Sequence, residues 1–95
     1  MKINLEFTGG AAAVTGVKHL ELELSKGQNY QDLIALLAEM YPDLVGFIIS
    51  PDRCSLLSSV LFFVNQTEWI MPGMMENPLK DGDHLIILSV ITGGS

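Results

Sequence analysis

Basic residues are scarce in this sequence: five Lys and Arg stand against eleven Asp and Glu, for a formal net charge of −6. Phosphate backbones and anionic lipid surfaces are held mainly by Lys and Arg, so direct binding to nucleic acid or to a membrane is not expected. Partners with basic grooves fit better, because opposite charges raise the encounter rate. Cys54 is the single cysteine, so no internal disulfide can form, and no Cys or His cluster points to a metal. A reactive thiol needs surroundings that lower its pKa, and none are visible next to Cys54, whose expected role is structural or incidental. No apolar run approaches the roughly eighteen residues of a membrane span, and residues 1–5 open a strand rather than a signal peptide. These absences lead to the expectation of a cytoplasmic protein whose partners carry basic grooves.

What is present is enough for one folded domain. The hydrophobic fraction of 48% and the charged fraction of 17% are the reverse of a disordered composition. A chain of 95 residues buries roughly 60–65% of the surface its unfolded form exposes, which leaves room for one core.

Residues 2–8 alternate, with Ile3, Leu5 and Phe7 on one side and Lys2, Asn4 and Glu6 on the other, the period of a half-buried strand. Gly9-Gly10 stops it, and the Ala-rich stretch at 9–16 reads as a loop. Leu20, Leu22 and Leu24 then alternate with His19, Glu21 and Glu23, so the two strands form a hairpin with a long connection. The period next changes. Asn29 is a good N-cap, Asp32 stands where a capping box needs it, and Leu33, Leu37, Met40 and Tyr41 fall at helical spacing until Pro42. The spacing predicts a helix over 30–40. Residues 44–49 read as a further helical turn plugging the core, and 50–59 as a polar loop carrying Asp52, Arg53 and Cys54.

Residues 60–64 and 84–91 are apolar at both parities, as expected of strands near the middle of a sheet. A short return strand at 68–70 lies between them, and the Pro- and Met-containing segment 71–78 reads as an irregular connection. One helix covers only one face of a sheet, and a hairpin followed by a helix points to an α+β domain rather than repeated parallel units. The predicted architecture is a β-grasp, with a mixed sheet wrapped across one main helix and the first and last strands as a central, parallel pair. The domain is expected to span 1–92, with a flexible tail at 93–95.

The run Phe63-Val64-Asn65-Gln66-Thr67-Glu68-Trp69, then Leu79-Lys80-Asp81-Gly82-Asp83, the closing strand and Gly93-Gly94, resembles the eukaryotic ubiquitin-related modifier and its archaeal relatives. These are ubiquitin-like sulfur carriers, alongside the small subunit of molybdopterin synthase and the thiamine-pathway carrier. Phe7 to Gly10, reading FTGG, resembles the modifier's opening strand and loop. The similarity covers nearly the whole chain and is loose only at 42–59. Molybdopterin synthase small subunits usually approach the tail through a proline, whereas this chain reads Ser89-Val90-Ile91-Thr92, which favours the modifier branch.

The resemblance implies that the protein is not an enzyme but a substrate of one. An E1-like adenylating enzyme, using ATP, would activate the Gly94 carboxylate, and a persulfide sulfur would convert it to a C-terminal thiocarboxylate. The sulfur would serve tRNA thiolation or cofactor biosynthesis, and no cofactor would be bound to the chain itself. Conjugation to target-protein lysines is a further family behaviour, with Lys2, Lys18, Lys26 and Lys80 as undistinguished acceptors in this chain. Gly93 and Gly94 lack Cβ atoms, which suits a tail that enters a narrow nucleotide site. Ordering each backbone residue costs about 1–2 kcal/mol, so the folded body must supply docking affinity. Ser95 ties the Gly94 carboxyl group into an amide. Removal by a processing protease is therefore expected, with a cloning remnant as the plain alternative.

For the docking surface, Ile86, Leu88 and Val90 share one side of the closing strand, while Leu85, Ile87, Ser89 and Ile91 share the other. Pattern alone does not choose between the sides. The resemblance to ubiquitin-like domains places Leu88 outward together with Phe62 on the neighbouring strand, making Phe62, Ile86, Leu88 and Val90 the expected docking residues. Met71, Met74 and Met75 could instead fold over that surface. His19 and His84 have no Ser or Cys partner at any recognisable spacing and read as solvated strand-end residues. Asp81 and Asp83 around Gly82 read as a turn, since a calcium loop needs a fuller ligand set. Trp69 reads as a partly buried turn anchor rather than a ligand platform.

Two other readings remain at this level. One is a dedicated small subunit of a molybdopterin synthase-like enzyme, with the tail inserted permanently into a catalytic partner. The other is a ubiquitin-like binding module with no tail chemistry.

Overall fold

The computed structural model describes residues 1–57 and 60–89. Strand β1 (Lys2–Phe7) runs into helix α1 (Gly9–Thr15), and β2 (His19–Glu23) returns beside β1. Helix α2 (Tyr30–Met40) follows, then a 3-10 turn at Pro42–Leu44 and strands β3 (Val60–Val64) and β4 (Glu68–Ile70). A second 3-10 turn, Pro72–Met74, precedes β5 (His84–Ser89). The five-stranded sheet has the order β2-β1-β5-β3-β4. Only the β1–β5 pair is parallel among the described strand pairs, with Leu5 opposite Leu85 and Phe7 opposite Ile87. The fold is the ubiquitin-like β-grasp of the α+β class.

Alternation in β1 does what its period requires: Ile3, Leu5 and Phe7 are buried while Lys2 and Asn4 are exposed. Helix α2 starts at a complete capping box, in which the Asp32 N–H donates to Asn29 Oδ1 at 3.0 Å and the Asn29 N–H donates to Asp32 Oδ2 at 2.9 Å. Those bonds satisfy two N–H groups at the helix start, and the Asp32 charge faces the positive end of the helix dipole. At the other end Pro42 excludes the helical conformation for the residue before it, and Tyr41 turns to φ −132° and ψ 77°. The helix buries Leu33, Ile34, Leu37 and Ala38 against Ile3, Leu5, Phe62, Leu85 and Ile87 of the sheet.

The connection at 9–16, expected as a loop, contains α1. Three consecutive alanines, the best helix formers, outweigh the glycine doublet before them. Gly16 closes the helix in the left-handed region at φ 73°, and its N–H donates to Ala12 O at 2.9 Å. Gly10 has a packing role: a Cβ there would stand 2.6 Å from Phe47 Cζ. Residues 44–49 do plug the core, with Leu44, Ile48 and Ile49 buried, but the helical turn expected there lies at Pro42–Leu44, and Val45 and Ile49 instead form an isolated bridge. The predicted closing strand at 84–91 is described as far as Ser89, and its last two residues, like the expected tail at 93–95, lie outside the described residues.

Phe62 corrects the expected strand parity. It pairs with Ile87 and is fully buried at 0% exposure, between α2 and the sheet, with its ring 5.5 Å from that of Tyr30. It cannot offer docking surface. The outward aromatic of β3 is its neighbour Phe63.

Candidate functional site

Because α2 covers one face of the sheet, the register decides what the other face displays. One row crosses all five strands there: His19 of β2 opposite Glu6 of β1, Glu6 opposite Ile86 of β5, Ile86 opposite Phe63 of β3, and Phe63 opposite Trp69 of β4. Its first two members are titratable and its last three apolar. A neighbouring row sets Leu88 opposite Leu61. Side chains at alternate strand positions share a face, so Leu61, Phe63, Ile86 and Leu88 form one half-buried apolar surface. Trp69, 41% exposed, extends it, with its ring centroid 4.5 Å from that of Phe63. Rather than anchoring a turn, Trp69 sits in β4 at the edge of this surface.

The β1–β2 half of the same face is polar. Lys2 Nζ lies 3.7 Å from Glu21 Oε1, His19 Nδ1 is 3.6 Å from Glu6 Oε1, and His84 Nε2 is 3.7 Å from the same oxygen. Solvent-facing pairs of this kind contribute about 0–1 kcal/mol each, so they do little for the fold and mainly set the character of the surface. Both histidines stand at strand starts, as expected. Met75 is buried in the core and Met74 packs against that core, while Met71 is exposed.

The Lys80–Asp83 turn is tightly bonded. Asp83 Oδ2 accepts from the Lys80 N–H at 2.9 Å, and Asp83 Oδ1 accepts from Asn65 Nδ2 at 3.0 Å. Asn65 Oδ1 accepts the His84 N–H at 2.9 Å, which ties the β3–β4 turn to the start of β5. Asp81 Oδ1 accepts the Lys2 N–H at 2.7 Å. Both acids therefore hold the turn in place. Among the described residues no group of three or more His, Cys, Asp or Glu is placed to hold a metal ion, and no helix is long and apolar enough to cross a membrane. Cys54 is exposed in the 50–57 loop, where Asp52 accepts hydrogen bonds from the Ser50 hydroxyl and the Cys54 N–H. Those two bonds hold the Asp52 carboxyl below its ordinary pKa.

Of the expected docking residues, Ile86 and Leu88 lie on the outward apolar surface and Phe62 does not. Val90, Gly93, Gly94 and Ser95 lie outside the described residues. Sequence reasoning missed Leu61, Phe63 and Trp69. The signal for them was the hairpin: pairing β3 with β4 around residues 65–67 sets Ile70 against Phe62 and Trp69 against Phe63. An inward Ile70 therefore carries Phe62 inward and turns Phe63 out.

Relatives of known sequence and structure share this fold. A curated relative, the ubiquitin-related modifier 1 homolog of Culex quinquefasciatus, is 28% identical over 98 residues, spanning 97% of this chain and 86% of its own length. The solution structure of Urm1 from Trypanosoma brucei superposes with a TM-score of 0.74 at 27% identity, covering 98% of this chain and 95% of that one. The crystal structure of SAMP1 from Haloferax volcanii gives a TM-score of 0.82 at 17% identity, covering 99% and 100% of the two chains, and shares the fold. The ThiS family model matches residues 5–94, from the second buried-face position of β1 through the second glycine of the Gly93-Gly94 doublet. The chain thus belongs to the ThiS family of ubiquitin-like sulfur carriers.

Proposed function

We propose that this protein carries sulfur as a thiocarboxylate on Gly94 and is a substrate of a cytoplasmic E1-like adenylating enzyme. In the proposed sequence a Gly94 carboxylate oxygen attacks the α-phosphorus of ATP on the partner and pyrophosphate leaves. The terminal sulfur of a partner persulfide then attacks the acyl carbon and AMP leaves, giving an acyl disulfide. A thiol cleaves its S–S bond, releasing the thiocarboxylate and leaving a disulfide on the partner side. The sulfur is destined for tRNA thiolation or cofactor biosynthesis, and an activated Gly94 could also be captured by a target-protein lysine amine. Whatever follows Gly94, Ser95 included, has to be cut away first, because an amide lacks the free carboxylate oxygen that the first step uses.

The observation that carries this reading is the family match through Gly94. The outward apolar surface of β5, β3 and β4 supports it as the docking face, since contiguous exposed apolar area marks interaction sites. The test is mass spectrometry of the chain ending at Gly94 after incubation with the activating enzyme, ATP and a persulfide donor. The expected product has one terminal oxygen replaced by sulfur; recovery of the unmodified carboxylate alone contradicts the reading.

A second reading has support of its own. The solved complex of subunits 1 and 2 of the molybdopterin-converting factor from Helicobacter pylori contains a chain of this fold, with a TM-score of 0.62 at 20% identity. A dedicated subunit of such an enzyme would copurify with one catalytic partner at fixed stoichiometry, whereas a carrier is released after each transfer.

A further inference from the structure

On the α2 side of the sheet, beside β4, a pocket of about 310 Å³ opens between the start of α2, the β3–β4 hairpin and the Asn77–Asp83 segment. Val64, Ile70 and Pro78 supply apolar wall, while Tyr30, Glu68 and Asp83 bring polar groups to it. Glu68 and Ile70 occupy alternate positions of β4 and share a face opposite Trp69. This pocket is therefore separate from the outward apolar surface.

Three observations show what it can take. Tyr30 is only 3% exposed, yet no side-chain hydrogen bond of the described residues involves its hydroxyl, including those of the neighbouring Asn65 and Asp83. No fully buried side-chain polar atom of the described residues lacks a partner, so the hydroxyl must open onto the pocket it lines. The carboxylates of Glu68 and Asp83 have no basic group within 4.0 Å among the described residues, although Lys80 also lines the pocket. Burial first, then the charges of Asp83 and Glu68, push the Tyr30 phenol up to about 12. The two carboxylates disfavour an anion, and a neutral apolar group would leave the Tyr30 hydroxyl unpaired.

We propose that this pocket binds a guanidinium group, presented by an arginine side chain of a docked protein. Guanidinium offers five N–H donors in a plane, which suits a phenol oxygen and two carboxylates approaching from different elements, and it sheds water more readily than an ammonium. The apolar walls accommodate the methylene stem. The net charge of −6 favours approach of a basic partner. Position at the sheet edge lets a partner seated on the outer face reach around β4.

The test uses the intact chain, with amide chemical shifts followed by NMR during titration with a blocked Gly-Arg-Gly peptide, against sodium chloride at matched ionic strength. Saturable shifts are expected at Tyr30, Glu68 and Asn77. Glu68→Gln should weaken the peptide about tenfold, the scale of a lost charge-assisted hydrogen bond. Tyr30→Phe should weaken it less, and because the ring stays packed on Phe62, unchanged amide dispersion elsewhere verifies that this variant is folded. Shifts reproduced by salt alone, or peptide affinity unchanged in both variants, would overturn the site. Free L-arginine binding more tightly than the peptide would overturn the protein-borne origin, since its carboxylate should be repelled by Glu68 and Asp83.

Discussion

Both halves of the outer sheet face point away from α2, yet they are chemically opposite. On β1 and β2 the side chains are Lys2, Glu6, His19 and Glu21; on β5, β3 and β4 they are Ile86, Leu88, Leu61, Phe63 and Trp69. Neither half is needed to fill the core, which lies under the helix. The polar half shows that this sheet tolerates an ordinary solvated surface, with strict alternation even on the interior strand β1. The apolar half is therefore not a requirement of the fold, and its extent across three adjacent strands is what the proposed docking role rests on.

The largest expected effect sharpens the contrast between the two sides of β3. Phe62→Ala should cost about 3–5 kcal/mol in denaturant unfolding, because it opens a cavity under α2. Phe63→Ala, one residue away on the half-exposed side, should cost about 1 kcal/mol or less and leave the midpoint near that of the parent. Equal losses would mean that the two faces of β3 are not distinct.

Next in size is Leu88→Asp. A charge on the apolar half should leave the chain folded, with unchanged circular dichroism, but reduce its use by an activating enzyme by about tenfold or more, the scale of one interface hot spot. Undiminished activation would remove the docking role of this surface. The smallest effect is expected on the polar half, where Glu6→Gln removes the carboxylate shared by His19 and His84. Stability should change by no more than about 0.5 kcal/mol, and a larger loss would show that this half is built for more than solvation.

Much of the fold was legible because its signals are local: the two alternating strands, the Asn29–Asp32 box and Pro42 each act over a few residues. Helix α1 was not, since the Gly9-Gly10 doublet argued for a loop while the alanine run and Gly16 argued for a helix, and the second set prevailed. The docking side was only half legible for a different reason. Residues 60–64 read VLFFV, apolar at both parities, so no pattern within the strand distinguishes Phe62 from Phe63. That choice is made by pairing with β4 and by where α2 lies, which are long-range facts. The pocket at Tyr30 was invisible from the sequence because it joins residues from the start of α2, from β4 and from the Asp83 turn.

The central claim, that Gly94 is the activated residue of a carrier, is tested most directly by ATP–pyrophosphate exchange with a cognate activating enzyme. Two chains are compared, one ending at Gly94 and one ending at Ser95. Exchange is expected with the first and little or none with the second, because only a free glycine carboxylate can attack ATP in a passage suited to residues without Cβ atoms. Equal exchange by both chains would contradict the requirement for processing, and exchange by neither would contradict the carrier assignment itself.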